Sequence, residues 1–376
     1  MRFKAVITKK CQDLVEWNGL MLFRESIFLT GFPGFIARRL VERLAKAETQ
    51  FFLLVQPQFV ERAMAEIEEI VEATGIGLEA FSIVEGDITS PSLGINNEDL
   101  EVIQFETTDV FHLAAAYDLA ITKDIAFSVN YEGTKNVNDF VHSVRNLKRY
   151  NYISTCYVAG KREGRIFETE LDHNAGFRNF YEETKYLAEV EVEKMKATLP
   201  VTIFRPSVVV GDSQTGETVK YDGIYYLIQY LRKAPGLLRV LNVGNKDVRL
   251  NLVPVDFVVN GIAALSREGK AAGKTIALAD PDPLTTAELF DAIAKELTGR
   301  KSEFSPPARL TEWFLKTRIS PAITGLPHHG VPYFFISQSY DTSIADDLLS
   351  ARSVVCPQFG SYVGNLLDFV DEYPEL

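Results

Sequence analysis

The chain is poor in cysteine. It has three in 376 residues, Cys11, Cys156 and Cys356, scattered and odd in number. They suggest neither a disulfide framework nor a metal cluster, and they fit a reducing compartment. Positive charge is also short: 39 Lys and Arg stand against 51 Asp and Glu, a formal net charge of −12. A nucleic-acid role needs a basic face, which this balance does not supply, although local basic pockets for a phosphorylated ligand remain open. No apolar run approaches the ~18 residues of a membrane helix. Repeats and low-complexity segments are missing as well. The first twenty residues, "MRFKAVITKKCQDLVEWNGL", lack the continuous apolar core of a secretory signal. We therefore expect a cytoplasmic protein with no integral membrane segment and no nucleic-acid partner. Met21 opens "MLFRESIFLTG", a sensible beginning for a first strand, so residues 1–20 read as an extension outside the fold or an upstream start.

What is present is ordinary for a soluble globular protein: 46% hydrophobic and 24% charged residues, enough for a large core. Short apolar runs alternate with helical patterns through the first two thirds. Strands are expected at 26–30, 51–55, 80–87, 109–115, 149–155 and 201–206, with helices at 35–47, 59–74, 130–145 and 180–198. Apolar strands separated by helices predict an α/β fold, a doubly wound parallel sheet covered on both faces. After residue 210 the pattern loosens. Residues 221–233 read as an apolar helix, residues 282–297 as a helix capped near Asp282 or Thr285, and a proline-broken tail suggests a smaller, irregular domain. The expected division is an extension at 1–20, a nucleotide-binding domain at 21–214 and 240–281, and a substrate-binding domain at 215–239 and 282–376.

The first strand runs straight into "TGFPGFIARRLVERL". Gly31 and Gly34 precede a helix, and Ala37 stands where a third glycine is often found. Glycine permits the tight turn and a close backbone approach to a pyrophosphate, which the helix N-terminus then binds. The bland alternative is a plain strand–helix turn, but strand, turn, helix and chain position agree. A ribose-binding acid is expected about 20 residues on. There the chain reads "LLVQPQFVER", with no acid between Gln50 and Val60. Arg38 or Arg62 could meet a 2′-phosphate or equally be solvated helix surface; the missing acid makes NADPH expected over NADH.

A tyrosine four residues before a lysine occurs three times: Tyr131/Lys135, Tyr157/Lys161 and Tyr181/Lys185. Spacing alone therefore proves little. Lys161 follows a glycine and falls in a loop, and Tyr131 opens a helix before the fifth strand. Only Tyr181/Lys185 sits in a long helix after that strand, whose C-terminal end carries Ser154 and Thr155. Ligands in such sheets bind beyond the carboxyl ends of strands.

Taken in order, "TGFPGFIA", "VEGDIT", "FHLAA", "VNYEGT", "ISTCYVAG", "YEETK" and "FRPSVVVGD" resemble the extended short-chain dehydrogenase/reductases over roughly residues 26–280. "STCYVAG" and "RPSVVVGDSQTGET" look most like the thioester-reductase or fatty acyl-CoA reductase branch. Two departures stand out: Ala37 replaces a glycine, and Gln56 stands where many members of that branch carry arginine. The resemblance implies that Tyr181 is the proton donor, that Lys185 lowers its pKa and holds the nicotinamide ribose, and that Thr155 hydrogen-bonds the substrate carbonyl. It further implies that Asn130 orders the site and that Asp87 contacts the adenine. Cofactor contacts are implied along Thr30, Gly31, Phe32, Pro33, Gly34, Phe35 and Ile36, with Arg38, at Gln56, Asp87, Ile88 and Ala114, at Tyr181 and Lys185, and at Pro206 and Val208. Cys156 reads as a small buried residue, His112 as a packed strand residue, and adjacent His328 and His329 as no metal site.

The expected function is an NADPH-dependent reductase of acyl thioesters, with acyl-CoA or an acyl-carrier protein as substrate partner; the resemblance also allows a homodimer. Tyr225, Tyr226, Tyr230, Leu227, Ile228 and Leu231 could line an acyl tunnel or simply pack a core. Lys220, Arg232, Lys233 and Arg239 could meet the phosphates of a carrier arm or form a solvated face. A sugar-nucleotide epimerase or dehydratase shares the fold, the Tyr/Lys pair and "NLVPVDFVVNGI" (251–262), but usually holds NAD, which the missing acid disfavours. A regulatory protein on a decayed reductase fold is disfavoured because Thr155, Tyr181 and Lys185 are all intact.

Overall fold

The computed structural model describes residues 23–233, 242, 244–302, 306, 333 and 336–376. The extension at 1–20, Arg239, His328 and His329 lie outside these residues. Strands β1 (Glu25–Thr30), β2 (Thr49–Val55), β3 (Phe81–Glu85), β4 (Asp109–His112) and β5 (Arg149–Ile153) lead the chain order. The short β6 (Gly164–Ile166) follows, then β7 (Val201–Pro206), the short β8 (Val208–Val210) and β9 (Leu252–Pro254), β10 (Thr275–Leu278) and the short β11 (Gln338–Tyr340). The main sheet has seven parallel strands in the order β3–β2–β1–β4–β5–β7–β10. The order turns outward from β1 in both directions, and the crevice between β1 and β4 is where this topology places a ligand.

The longer described helices are α1 (Phe35–Leu44), α2 (Val60–Thr74), α3 (Asn97–Glu106), α4 (Gly133–Ser143), α5 (Phe180–Met195), α6 (Ile224–Lys233), α7 (Val255–Leu265), α8 (Thr286–Thr298), α9 (Ser343–Ser350) and α10 (Val363–Glu372). Their sequences explain them. In α1 the buried residues Ala37, Leu40, Val41 and Leu44 recur at helical spacing. Gly75 stops α2 in the left-handed region at φ 70°. Thr285 and Glu288 form a reciprocal capping box at the start of α8, which settles the choice against Asp282.

Alternate residues of each strand enter different cores, as period-two geometry requires. Ile27, Leu29, Phe51 and Leu53 pack with α1, α2 and α7 on one face. Phe28, Val110, Tyr150, Tyr152 and Ile203 pack with α4 and α5 on the other. A third apolar cluster joins α6, α8 and α10 with the ends of β8 and β9. Ala345, Leu348 and Leu349 of α9 belong to the first cluster. Part of the segment 282–376 therefore covers the sheet, although the sequence pattern groups it with the smaller domain. The sequence reading missed α7 because "VDFVVNGIAAL" is apolar nearly all round, and its buried residues leave no amphipathic period to read. Among the described residues, no helix is long and apolar enough to cross a membrane, and no group of His, Cys, Asp and Glu could hold a metal ion.

Candidate active site

A cavity of about 650 Å³ lies beyond the carboxyl ends of the central strands. It gathers residues distant in sequence: the whole run Thr30–Ile36, Gln56, Asp87, Ile88, Ala114, Thr155, Tyr181, Lys185, Pro206 and Val208. Two predicted residues, Arg38 and Asn130, do not line it.

The glycine turn has the shape a pyrophosphate needs. Gly31 adopts φ +97°, and a Cβ there would stand 2.7 Å from the Ala114 backbone nitrogen, so only glycine fits without displacing the β4 loop. Gly34 N–H donates to Gly31 O at 2.8 Å and closes the turn. No side chain caps α1, and its first turn carries no acid. The free N–H groups of that turn, with Phe35 and Ile36 beside them on the cavity wall, are positioned for an anion. These residues fit the diphosphate of a dinucleotide.

Asp87 lines the cavity beyond the ends of β2 and β3. Its Oδ1 accepts from Thr89 N and Thr89 Oγ1, both at 2.8 Å, and its Oδ2 accepts from Gln56 Nε2 at 2.8 Å. Burial pushes this carboxyl up, but the Thr89 and Gln56 hydrogen bonds outweigh it and hold the group below its ordinary range. The expectation for Arg38 needs correcting. Its guanidinium is held by Glu42, by Glu66 at 3.1 Å and by Glu69 at 3.1 Å, so three carboxylates occupy the fork that was to meet a phosphate. Arg62 lines the cavity instead, with its side chain half exposed.

At the other end stand Thr155, Tyr181 and Lys185. Thr155 follows β5 and accepts from Tyr157 N at 3.2 Å, which leaves its own proton free; the Thr155 side chain hydrogen-bonds the Tyr181 phenol. Asn179 caps α5 by accepting from Glu182 N at 2.9 Å, and Tyr181 stands in that first turn. Burial pushes the Tyr181 phenol up to about 12, with the Thr155 hydrogen bond opposing it. The sequence reading had the lysine pulling this value below ~10; in the fold, desolvation dominates. Tyr181 is therefore a phenol, not a phenolate, at neutral pH. Burial also lowers Lys185 to about 8, opposed by the charge of Glu189 one turn along. Its Nζ donates to the Tyr152 hydroxyl at 3.1 Å and to the Ile153 carbonyl at 2.9 Å.

Asn130 acts from outside the cavity. It sits in a wide π-type turn, Phe127–Glu132, ahead of α4. Its side chain accepts from Ala116 N at 2.8 Å and donates to Ala116 O at 3.0 Å and to Thr184 Oγ1 at 3.1 Å. It thus staples the loop after β4 to the helix that carries Tyr181. His112 is fully buried, and burial with the Lys185 charge lowers it to about 3, so it is neutral. It bridges Thr30 Oγ1 at 2.7 Å and Thr134 Oγ1 at 3.0 Å.

The other tyrosines separate cleanly. Tyr131 and Lys135 form a surface group in which Lys135 pairs with Glu132 at 2.8 Å. Tyr157 lines the cavity without Lys161, and its ring lies 4.7 Å from that of Tyr333. Cys156 is buried and donates to Arg205 O at 3.2 Å; burial pushes its thiol up, which leaves it inert. Sequence reasoning offered residues 331–336 as apolar surface for an acyl chain but missed Glu182 and its contact with Tyr333. The Tyr333 hydroxyl donates to Glu182 Oε1 at 2.7 Å and accepts from Asn179 Nδ2 at 2.7 Å, so a residue far along the chain is latched beside Tyr181. Nothing local in "VPYFF" could have revealed that contact. Of α6, Ile224 and Tyr226 line the cavity, while Tyr225, Leu227, Ile228 and Leu231 are buried in the third cluster. Lys220 also lines the cavity, whereas Arg232 is tied to α10 through Val370 O and Asp371.

Residues 29–262 match the sequence profile of an NAD-binding family described as male sterility protein. The chain belongs to that family. A fatty acyl-CoA reductase of Drosophila melanogaster is 27% identical over 291 residues, covering 67% of this chain and 56% of that protein. A chloroplastic fatty acyl-CoA reductase of Arabidopsis thaliana is 24% identical, covering 71% of this chain and 54% of its own. The chain therefore spans about half the length of the curated relatives it matches. Among solved structures, the terminal R domain from the myxalamid PKS-NRPS biosynthetic pathway superposes with a TM-score of 0.79 at 22% identity, covering 94% of this chain and 92% of that one. A UDP-glucuronic acid 4-epimerase from Bacillus cereus gives 0.64 at 18% identity, covering 93% and 99%. Both likenesses are in the fold.

Proposed function

We propose that this chain is an NADPH-dependent reductase of acyl thioesters, taking a fatty acyl-CoA or an acyl-carrier-protein thioester to the aldehyde or the alcohol. The strongest support is that Thr155, Tyr181 and Lys185 converge on the same cavity as the glycine turn, one group at each step the reaction needs. When bound, the reduced cofactor supplies hydride to the thioester carbonyl carbon. Thr155 and Tyr181 face the carbonyl oxygen, which becomes an alkoxide as the carbon–oxygen π bond opens. Tyr181, protonated at neutral pH, gives this oxygen its proton. Loss of that proton and collapse of the hemithioacetal then break the carbon–sulfur bond, releasing the aldehyde and, after protonation of the thiolate, a thiol. Lys185, charged below about 8, favours the transient phenolate and offers an N–H to the ribose.

NADPH over NADH rests on two features. An amide, not an acid, ends β2, and it is bonded to Asp87; Arg62 stands on the cavity wall with a carboxylate partner only at 3.6 Å. Substrate binding falls to the part of the cavity formed by Val208, Val219, Ile224, Tyr226, Leu250 and Tyr333, beside the third cluster. This supports a substrate-binding part built around residues 215–233 and the α8 and α10 segments. The test is to follow loss of the reduced nicotinamide absorbance with a panel of acyl-CoAs and UDP-sugars. Acyl-CoA turnover is expected; turnover of a UDP-sugar alone would replace this reading with the epimerase or dehydratase one.

A further inference from the structure

Lys185 rests on a tyrosine for which the reaction above has no use. Its Nζ is within hydrogen-bond reach of the Tyr152 hydroxyl and the Ile153 carbonyl, and lies 4.6 Å from the centre of the Tyr152 ring. An ammonium has three N–H donors. Two are committed to β5, which leaves one for the cavity. Tyr152 is fully buried. Its hydroxyl oxygen accepts from Lys185 Nζ, so a lone pair of Tyr152 points toward the lysine.

Other groups around Lys185 do not do this. Glu189, on the same helix, is shared with Arg205 at 2.6 Å and with Ser154. Tyr181, one turn earlier, is a neutral phenol, and His112 on β4 is a neutral imidazole bonded to Thr30 and Thr134. We propose that Tyr152 is the positioning residue for Lys185: its lone pairs and ring face favour the ammonium and aim the one remaining N–H into the cavity. A neutral amine in the same cradle would turn a lone pair to the cavity in place of a donor.

The proposal rests on the reading of this cavity as a nicotinamide-dependent reductase site, and two readouts keep the claims apart. Tyr152→Phe keeps the ring and removes only the hydroxyl to which Lys185 donates. Tyr150→Phe is the control: it is equally buried on the same strand, and its hydroxyl serves Asn138 at 3.0 Å. With NADPH and a long acyl-CoA, Tyr152→Phe should move the basic limb of kcat/KM about one pH unit lower, the worth of a hydrogen bond to a charged group, while Tyr150→Phe leaves it in place. NADPH titration by fluorescence across the same pH range should show the same displacement for Tyr152→Phe without any acyl substrate. If the wild type turns over no thioester, the reductase reading fails while the binding curves still decide the role of Tyr152. Equal displacement in both variants, or none in Tyr152→Phe, overturns the proposal. Should Tyr152→Phe not fold, Tyr152→Met, which fills the space but removes both hydroxyl and ring, must move the limb the same way; an unmoved limb overturns it too.

Discussion

Tyr181 carries a phenol that burial pushes up to about 12, beside a lysine that burial lowers to about 8. The two groups thus hold their protons through neutrality, as the proposed roles of donor and of the charge that eases its departure require. Tyr181→Phe keeps the ring and removes the donor, so turnover should fall by at least ~10²-fold with the thermal transition unchanged. Tyr131→Phe, at the surface, should stay within about twofold. Tyr157→Phe keeps its ring against Tyr333 and should be far milder than Tyr181→Phe; a dead Tyr157→Phe enzyme would move the donor to the wrong helix turn. The pH dependence has a definite sign. Lys185 works as an ammonium, and its folded-state pKa lies below the ordinary 10.5, at about 8. Activity should therefore hold below that value and decline as pH rises through it. A kcat/KM profile that stays flat to pH ~10, the range of an unperturbed lysine, would show that burial does not govern this group.

The turn between β1 and α1 and the end of β2 decide what the cavity accepts. Gly31→Ala would add a Cβ against the Ala114 nitrogen at a positive φ, a strain of about 1–3 kcal/mol before the steric push on the β4 loop. The variant should lose most NADPH affinity in a fluorescence titration and melt lower than the wild type. The proposed selectivity for NADPH sits one strand over. Arg62→Ala should weaken NADPH more than NADH, while Gln56→Asp should shift preference toward NADH and lose the 2.8 Å bond to Asp87. Equal losses for both cofactors in Arg62→Ala would show that this guanidinium does not read a 2′-phosphate.

At the scale of the whole molecule, the cavity joins the sheet end to the third apolar cluster. Tyr333 is latched to Glu182, the neighbour of Tyr181, and Gln338 donates to Gly160 O at 2.7 Å, so the C-terminal region is tied both to the first turn of α5 and to the loop after β5. If the proposed acyl chain enters along Val219, Ile224, Tyr226 and Leu250, it is removed from water one methylene at a time. Each buried methylene is worth about 0.8 kcal/mol, roughly fourfold in affinity. kcat/KM should thus climb steeply from short to long acyl-CoA until the apolar wall is covered, and a response that is flat with chain length would show that this wall does not hold the chain.

The sequence by itself determined the alternation of strands and helices, the glycine turn, the missing acid after β2 and the placing of Tyr181, not Tyr131, at the cavity. These are local facts: a period, a φ requirement, a residue type at the end of a strand. Only the tertiary structure decided that Arg38 is bound by Glu66 and Glu69 across the gap between α1 and α2, and that Arg62 remains on the wall. The same holds for Tyr152 beneath Lys185, Tyr333 beside Glu182, and the rise of Tyr181 against the expected fall. Desolvation and pairing depend on what the fold brings within a few ångströms from distant parts of the chain. A residue's spacing from its sequence neighbours carries no record of that.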